Sequence, residues 1–193
     1  MVTYRDAEFG FSYSYPADFK ENSQLTGALT KAQSDATDPE AKKRSQCIQW
    51  PLLRLKQGRT AAGDPEFGFL VLAKIDYRCM DETNSADDLG GDAQQVTQRI
   101  LGHFGQSVTE DAMRYKLDTH EAAFVQGSAP AAALGEGMMM HAAAVCALMG
   151  QKTMCWLIID TDHKAMPGLV ATTLTFDGHG AVPLVPKDMV EKW

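Results

Sequence analysis

No stretch of this chain approaches the run of roughly 20 apolar residues that a membrane-spanning helix requires. The nearest, Met138 to Met149, is short, is interrupted by His141 and is rich in small Ala. Basic clusters are equally scarce. Lys42-Lys43-Arg44 is preceded by Asp38 and Glu40, and the net charge is −7. A phosphate backbone needs clustered cations, so nucleic acid is excluded as a partner. There are only four cysteines in 193 residues, none in a C-x-x-C pair, which removes a thioredoxin-like motif and a zinc ribbon. The five histidines are scattered singly, with no H-E-x-x-H and no i, i+4 pair. Gly127-Ser128-Ala129-Pro130 lacks the flanks of a G-x-S-x-G elbow, and Gly135-Glu136-Gly137 alone makes no phosphate loop. The chemistry-bearing motifs are missing, which points to binding rather than catalysis.

What is present is an ordinary globular composition, 45% hydrophobic and 22% charged, in a length that fits one domain over residues 1–193. The most informative segment is Phe9-Gly10-Phe11-Ser12-Tyr13-Ser14-Tyr15-Pro16. Its aromatic residues alternate with Gly10, Ser12 and Ser14, so a strand here has one buried and one wet face. Pro16 ends that strand because it has no N–H for a ladder. With Tyr4-Arg5-Asp6 before it and Ala17-Asp18-Phe19 after it, the segment resembles the opening of the PsbP/DcrB-like superfamily. That fold is shared with the Ran-binding Mog nuclear-import factor. The resemblance implies an α/β fold, an α/β/α sandwich with a central, mainly antiparallel sheet of about six or seven strands flanked by helices. Such proteins act as photosystem extrinsic subunits, a Ran partner and chaperones for secreted effectors, so the resemblance implies an adaptor role rather than one activity.

The rest of the chain reads in the same order. Lys20 to Ala36 is polar and turn-prone, a loop. Asp38 caps a short helix that has Pro39 in its first turn. Cys47 to Lys56 and Phe67 to Tyr77 are strands joined by a turn over Gln57 to Pro65, and Pro51 predicts an edge or a bulge. Ser85 to Phe104 is a helix with Leu89, Ala93, Val96, Ile100 and Phe104 on one face. Ser85 and Asp88 form a loose capping box ahead of it. Met113 to Gln126 is a hairpin turning at Asp118-Thr119-His120-Glu121, where the superfamily often has Asp-Gly. Ser128 to Gly137 reads as a loop. Met139 to Met149 returns as a strand through Gly150-Gln151 into Thr153 to Asp160, although Ala142 to Leu148 also suits a helix. Met166, Leu169, Val170 and Leu174 mark a helix ended by Phe176-Asp177-Gly178, and Lys187 to Trp193 a terminal one. Trp50 and Trp156 belong to the core or its edge; Trp193 covers a groove or frays.

A two-residue turn at Gly150-Gln151 puts Cys146 opposite Cys155 at a pair without backbone hydrogen bonds, where Cα atoms lie roughly 4.5 Å apart and a disulfide fits. A loop centred on Gly63 puts Cys47 opposite Cys79 in the same way. Two such bridges point to an oxidising compartment, hence to an exported protein whose leader is absent from this chain. The rival is four reduced, buried thiols in a cytoplasmic protein, since Met1 leads straight into a polar strand.

Two clusters could hold a metal. Met138-Met139-Met140-His141 with Met149 and Met154 offers thioethers and an imidazole to Cu(I), but consecutive strand residues point to opposite faces. Asp160-Thr161-Asp162-His163 offers two carboxylates and an imidazole, but helix capping by Thr161 or Asp162 accounts for the same residues. Core packing and capping are the expected roles, with no catalytic, cofactor or metal site. The function that follows is a non-catalytic binding or accessory module exported to the bacterial envelope. Its unidentified protein partner would meet the sheet's exposed face or residues 20–36. Alternatives are a cytosolic adaptor or chaperone of the same fold, and a hydrolase or metal enzyme whose site assembles from distant residues.

Overall fold

The computed structural model describes residues 1–23, 26–27, 31, 37–59, 63–101, 111–132 and 135–190, without the side chains of residues 99 and 100. It has an α/β fold built on a central antiparallel sheet. In chain order the strands are β1 Val2–Asp6, β2 Phe11–Tyr15, β3 Lys20–Glu21, β4 Ile48–Arg59, β5 Pro65–Asp76, β6 Met113–Leu117, β7 His120–Pro130, β8 Met139–Met149, β9 Lys152–Asp160, β10 Thr173–Phe176 and β11 Ala181–Pro183. The helices are α1 Pro39–Gln46, α2 Leu89–Leu101, α3 Met166–Val170 and α4 Lys187–Val190, with a 3-10 turn at Arg78–Met80. Seven strands form the central sheet in the order β3-β4-β5-β9-β8-β7-β6.

One face of that sheet meets α2, as expected of a sandwich. The other meets α3, α4 and a second, four-stranded sheet ordered β1-β2-β10-β11. This second sheet is an addition to the helices expected to flank the central one. Its cause is local. Thr173 to Phe176, read as the end of a helix, pairs instead with β2, placing Leu174 opposite Tyr13 and Phe176 opposite Phe11. Leu174 and Phe176 therefore bury on the aromatic side of β2, and α3 stops at Val170.

The β2 alternation places Phe11, Tyr13 and Tyr15 in the core between the sheets, with Phe11 5.6 Å from Trp156 between ring centres. Trp156 is buried, whereas Trp50 is 37% exposed at the edge; residue 193 lies outside the described residues. On the opposite face, Leu89, Ala93 and Leu101 of α2 pack on Ala123, Ala142 and Ala144. Their stripe includes Thr97, which sends its hydroxyl to the Ala93 carbonyl at 2.8 Å. Val96, expected in the stripe, is only partly buried, and residue 104 lies outside the described residues. A Cβ at Gly127 would fall 2.7 Å from Leu101 Cδ1, so Gly leaves room for the Leu101 side chain against the sheet.

Other boundaries shift for readable reasons. The Ser85 N–H and hydroxyl both reach Asp88 Oδ2 at 2.8 Å, holding a turn before α2 rather than its first turn. The β6–β7 turn is two residues, Asp118-Thr119, because Leu117 faces His120. Asp118 takes the left-handed φ of 56° there, its carboxylate held by His179 at 3.1 Å, and so does the work of Asp-Gly. Ser128 to Pro130, read as loop, extend β7 against Met139 to His141. Of the expected loop at 20–36, Lys20–Glu21 is a strand on β4 and residues 23, 26, 27 and 31 are helical; the remainder, apart from Asn22, lies outside the described residues. The helix 39–46 stands as read, with Asp38 Oδ2 accepting from the Ala41 N–H at 2.7 Å. Residues 142–148 are strand, not helix.

The structure pairs all four cysteines. Gly150, with a φ of 64°, makes the two-residue turn, and Cys146 and Cys155 face each other with Cα atoms 4.1 Å apart. Cys47 and Cys79 are bridged at a Cα separation of 5.5 Å, but not as facing strand residues. Arg59 faces Pro65, a shorter loop than expected, and the ladder shifts again between Gln49 and Leu52, around Pro51. Cys47 thus caps α1, and Cys79 reaches it only because the 3-10 turn after β5 folds back.

Candidate functional site

The residues of greatest chemical interest form one row across five strands. Lys56 faces Gly68, Gly68 faces Asp160, Asp160 faces His141 and His141 faces Ser128. Each lies two residues from a member of the inter-sheet core, or four in the cases of Lys56 and Ser128, so alternation points the whole row to that side. Three elements meet there: the end of β9, the start of α3 and Phe19 after β2.

Gly68 creates the space. A Cβ on it would fall 2.8 Å from Asp160 Oδ2 and 3.1 Å from the Phe19 ring. The Asp160 carboxylate fills that gap with no solvent exposure. Its Oδ1 accepts the Asp162 N–H at 2.8 Å, and its Oδ2 accepts from Lys56 Nζ at 3.3 Å. Lys56 is also in contact with Glu66 and lies 3.9 Å from Asp18. Three carboxylates thus share one ammonium. Burial pushes the Asp160 pKa up, against the Asp162 N–H and Lys56, and Glu66 repulsion adds to the rise. Burial disfavours the Lys56 charge, but Glu66 and Asp160 outweigh it and raise its pKa.

At the other end of the row, Ser128 Oγ lies 2.7 Å from His141 Nδ1. Burial and the neighbouring His163 hold the His141 pKa down, against the opposing pull of Asp162. A neutral imidazole with its proton on Nε2 accepts the Ser128 proton at Nδ1. The His141 and His163 rings stand 5.9 Å apart. A serine with a neutral imidazole in hydrogen-bond reach is the minimal nucleophile–base pair. Among the described residues no carboxylate is hydrogen-bonded to His141 Nε2. Gln126, on the same face and one step below Ser128, is 5% exposed with Oε1 unpartnered among the described residues.

The candidate metal clusters separate. Met140 packs beneath α2, Met149 and Met154 lie in the core on the opposite face, and Met139 is exposed. Asp160 turns to Lys56, whereas Asp162 Oδ1 accepts the Lys164 N–H at 2.9 Å. Among the described residues no three of His, Cys, Asp or Glu gather as metal ligands do. Helix capping fails too: α3 begins after Ala165 with no side-chain cap; the Thr161 hydroxyl accepts the Phe67 N–H of β5 and Asp162 holds the turn before the helix.

A second lysine cluster occupies the opposite end of the same face. Lys74 Nζ lies 2.7 Å from Asp6 and 3.0 Å from Glu8, and Glu8 reaches Lys152 at 2.7 Å. Tyr4 donates to Asp6 at 2.9 Å, and the Glu8 and Phe9 N–H groups donate to its other oxygen. Burial opposes the Asp6 charge, but Lys74, Tyr4 and Phe9 outweigh it and hold the pKa below the usual range. This cluster ties the β1–β2 hairpin to β5 and β9.

Neither Lys56 nor Glu66 stood out in the sequence, and Ser128 was read as loop. One signal was there: the Gly150-Gln151 turn that pairs the cysteines also sets His141 opposite Asp160. Compared with known proteins, the chain matches no family model. It matches no curated protein. Among solved structures it is similar to LpqN of Mycobacterium tuberculosis, described as involved in cell envelope biogenesis. The two share 13% identity over 87% of this chain and 82% of that one, with a TM-score of 0.39.

Proposed function

We propose that this chain is a PsbP/DcrB-like accessory module, exported to the bacterial envelope, that acts by binding a protein rather than by catalysis. One observation carries the reading: all four cysteines are in disulfides. Disulfides persist in oxidising compartments and are rare where the cytosol keeps thiols reduced. The alternating Phe9–Tyr15 segment supports the family. The exposed sheet face that a partner would meet belongs to the second sheet, where Thr3, Arg5, Thr173 and Thr175 point outward and Ser12 and Ser14 are half-buried. No helix among the described residues is long and apolar enough to cross a membrane.

The test is a thiol count on protein taken from its native host, unfolded without reductant, beside fractionation of the same cells. No reactive thiol and recovery in the envelope fraction are expected. Four reactive thiols, or recovery with the cytosol, would overturn export. A hydrolytic role is a second reading, favoured by the 2.7 Å Ser128–His141 contact. A fluorophosphonate probe that labels the protein at Ser128, and not the Ser128→Ala variant, would establish it over the binding role.

A further inference from the structure

The two disulfides occupy opposite surroundings. Cys146 and Cys155 are 0% and 1% exposed beneath α2. Cys47 is buried, but Cys79 is exposed. Both line a surface pocket of about 100 Å³ together with Lys74, Asp76 and Lys152. That volume admits a thiol headgroup, which places an attacking thiolate beside the bridge.

The bridge also fastens an element that buries no residue of its own, helix α1. Besides Cys47 at its end, its described ties to the 3-10 turn region are exposed ion pairs, Arg44 to Glu82 at 2.6 Å and Lys43 to Asp81. Exposed pairs of this kind hold little. The Asp76 N–H donates to the Cys47 carbonyl at 3.0 Å, fixing the chain just after α1 but not α1 itself.

We propose that the Cys47–Cys79 bridge is a thiol-exchange site for small thiols, and that opening it releases α1. The incoming thiolate attacks Sγ of Cys79, the exposed half of the bridge. The Cys47–Cys79 bond breaks, and its electron pair leaves on Cys47 Sγ, which takes a proton from water. Cys79 then carries a mixed disulfide with the incoming thiol. A second thiol attacks the outer sulfur of that mixed disulfide, frees Cys79 as a thiolate and departs as the symmetrical disulfide. Cys146–Cys155 is untouched, because no thiolate reaches its sulfurs in the folded protein.

The experiment treats the oxidised full chain with graded reduced glutathione, quenches with an alkylating agent and maps peptides by mass. The expected result is glutathione on Cys79 and alkylation on Cys47, at thiol concentrations at least tenfold below those that open Cys146–Cys155. Glutathione on Cys47 instead, or both bridges opening together, would overturn the site. Hydrogen exchange across residues 39–46 is expected to accelerate at least tenfold in the opened protein while β8 and β9 keep their protection. The Cys47→Ser, Cys79→Ser double variant is expected to show the same acceleration without glutathione. Unchanged exchange in either sample would sink the release of α1.

Discussion

Lys56 and Lys74 lie on the same face of the central sheet, near opposite ends, each largely buried among carboxylates. Their balance differs. Around Lys74, two ammonium groups meet two carboxylates, since Glu8 divides its oxygens between Lys74 and Lys152. Around Lys56, one ammonium meets Glu66, Asp160 and Asp18. The buried aspartates respond in opposite directions: Asp6 below its ordinary pKa, Asp160 above it. The same residue types thus make a structural anchor in one place and a surplus of negative charge in the other. That surplus lies in the same row as the Ser128–His141 pair.

Removing each lysine is the strongest way to break the comparison. Lys74→Met leaves the Asp6 carboxylate, 2% exposed, without a cation. A buried charge deprived of its partner costs about 3–5 kcal/mol, a large share of the roughly 5–15 kcal/mol that holds a domain together. Lys56→Met is expected to cost less than half as much, because burial already raises the Asp160 pKa, so that Asp160 gives up its charge more readily than Asp6 once the cation is gone. Urea unfolding at neutral pH measures both. Equal losses would mean that the two clusters are alike.

Gly68→Ala presses on the surplus cluster directly. The added methyl meets Asp160 Oδ2 and the Phe19 ring, and Phe19 is 2% exposed with no room to retreat. Overpacking of this kind costs about 1–3 kcal/mol. The same unfolding measurement checks it; a loss below about 0.5 kcal/mol, the scatter of neutral surface changes, would mean the carboxylate is not packed against β5.

Acid titration separates the two aspartates by sign. Asp6, with its folded pKa depressed, contributes stability above the unfolded value near 3.8, and that stability is lost as pH falls through the folded value. Asp160, with its folded pKa raised, contributes most below 3.8, and the contribution drains away as pH rises from there through the folded value. The advantage of the natural chain over Asp6→Asn should therefore grow with pH through the acid range. Its advantage over Asp160→Asn should shrink with pH above 3.8. Stability curves from pH 2 to 7 for the three proteins decide it, and parallel slopes for the two variants would erase the contrast.

Legibility from sequence followed the range of the forces involved. The β8–β9 hairpin was readable because its turn is two residues with Gly in the left-handed position, which fixes every pair along it. The Cys47–Cys79 pair was reached through a register that the structure does not have; the bulge near Pro51 and the fold-back at Arg78–Met80 together bring the sulfurs close. The second sheet was not readable. Met166, Leu169, Val170 and Leu174 fit a helical spacing, and four residues of β10 are too few for alternation to contradict it. What makes Thr173–Phe176 a strand is β2, more than 150 residues away in sequence. Ser128 was lost for a similar reason, since its partner His141 lies across a longer connection that sets no register by itself.

The smallest effect tests the far end of the surplus row. Ser128→Ala removes one hydrogen bond from His141 and costs at most about 1 kcal/mol, since Ser128 is exposed and water can replace it. The telling readout is the imidazole itself. A Ser128 hydroxyl that donates to Nδ1 requires the imidazole proton on Nε2, and ¹⁵N shifts of His141 should report that tautomer at neutral pH. In Ser128→Ala the preference relaxes toward a mixture of the two forms. Burial and His163 still act, so the pKa of His141 should stay below its ordinary 6.5 in both proteins. A variant whose tautomer balance does not move would mean that the serine is a bystander on the strand, and the row would then be a buried charge cluster without a base.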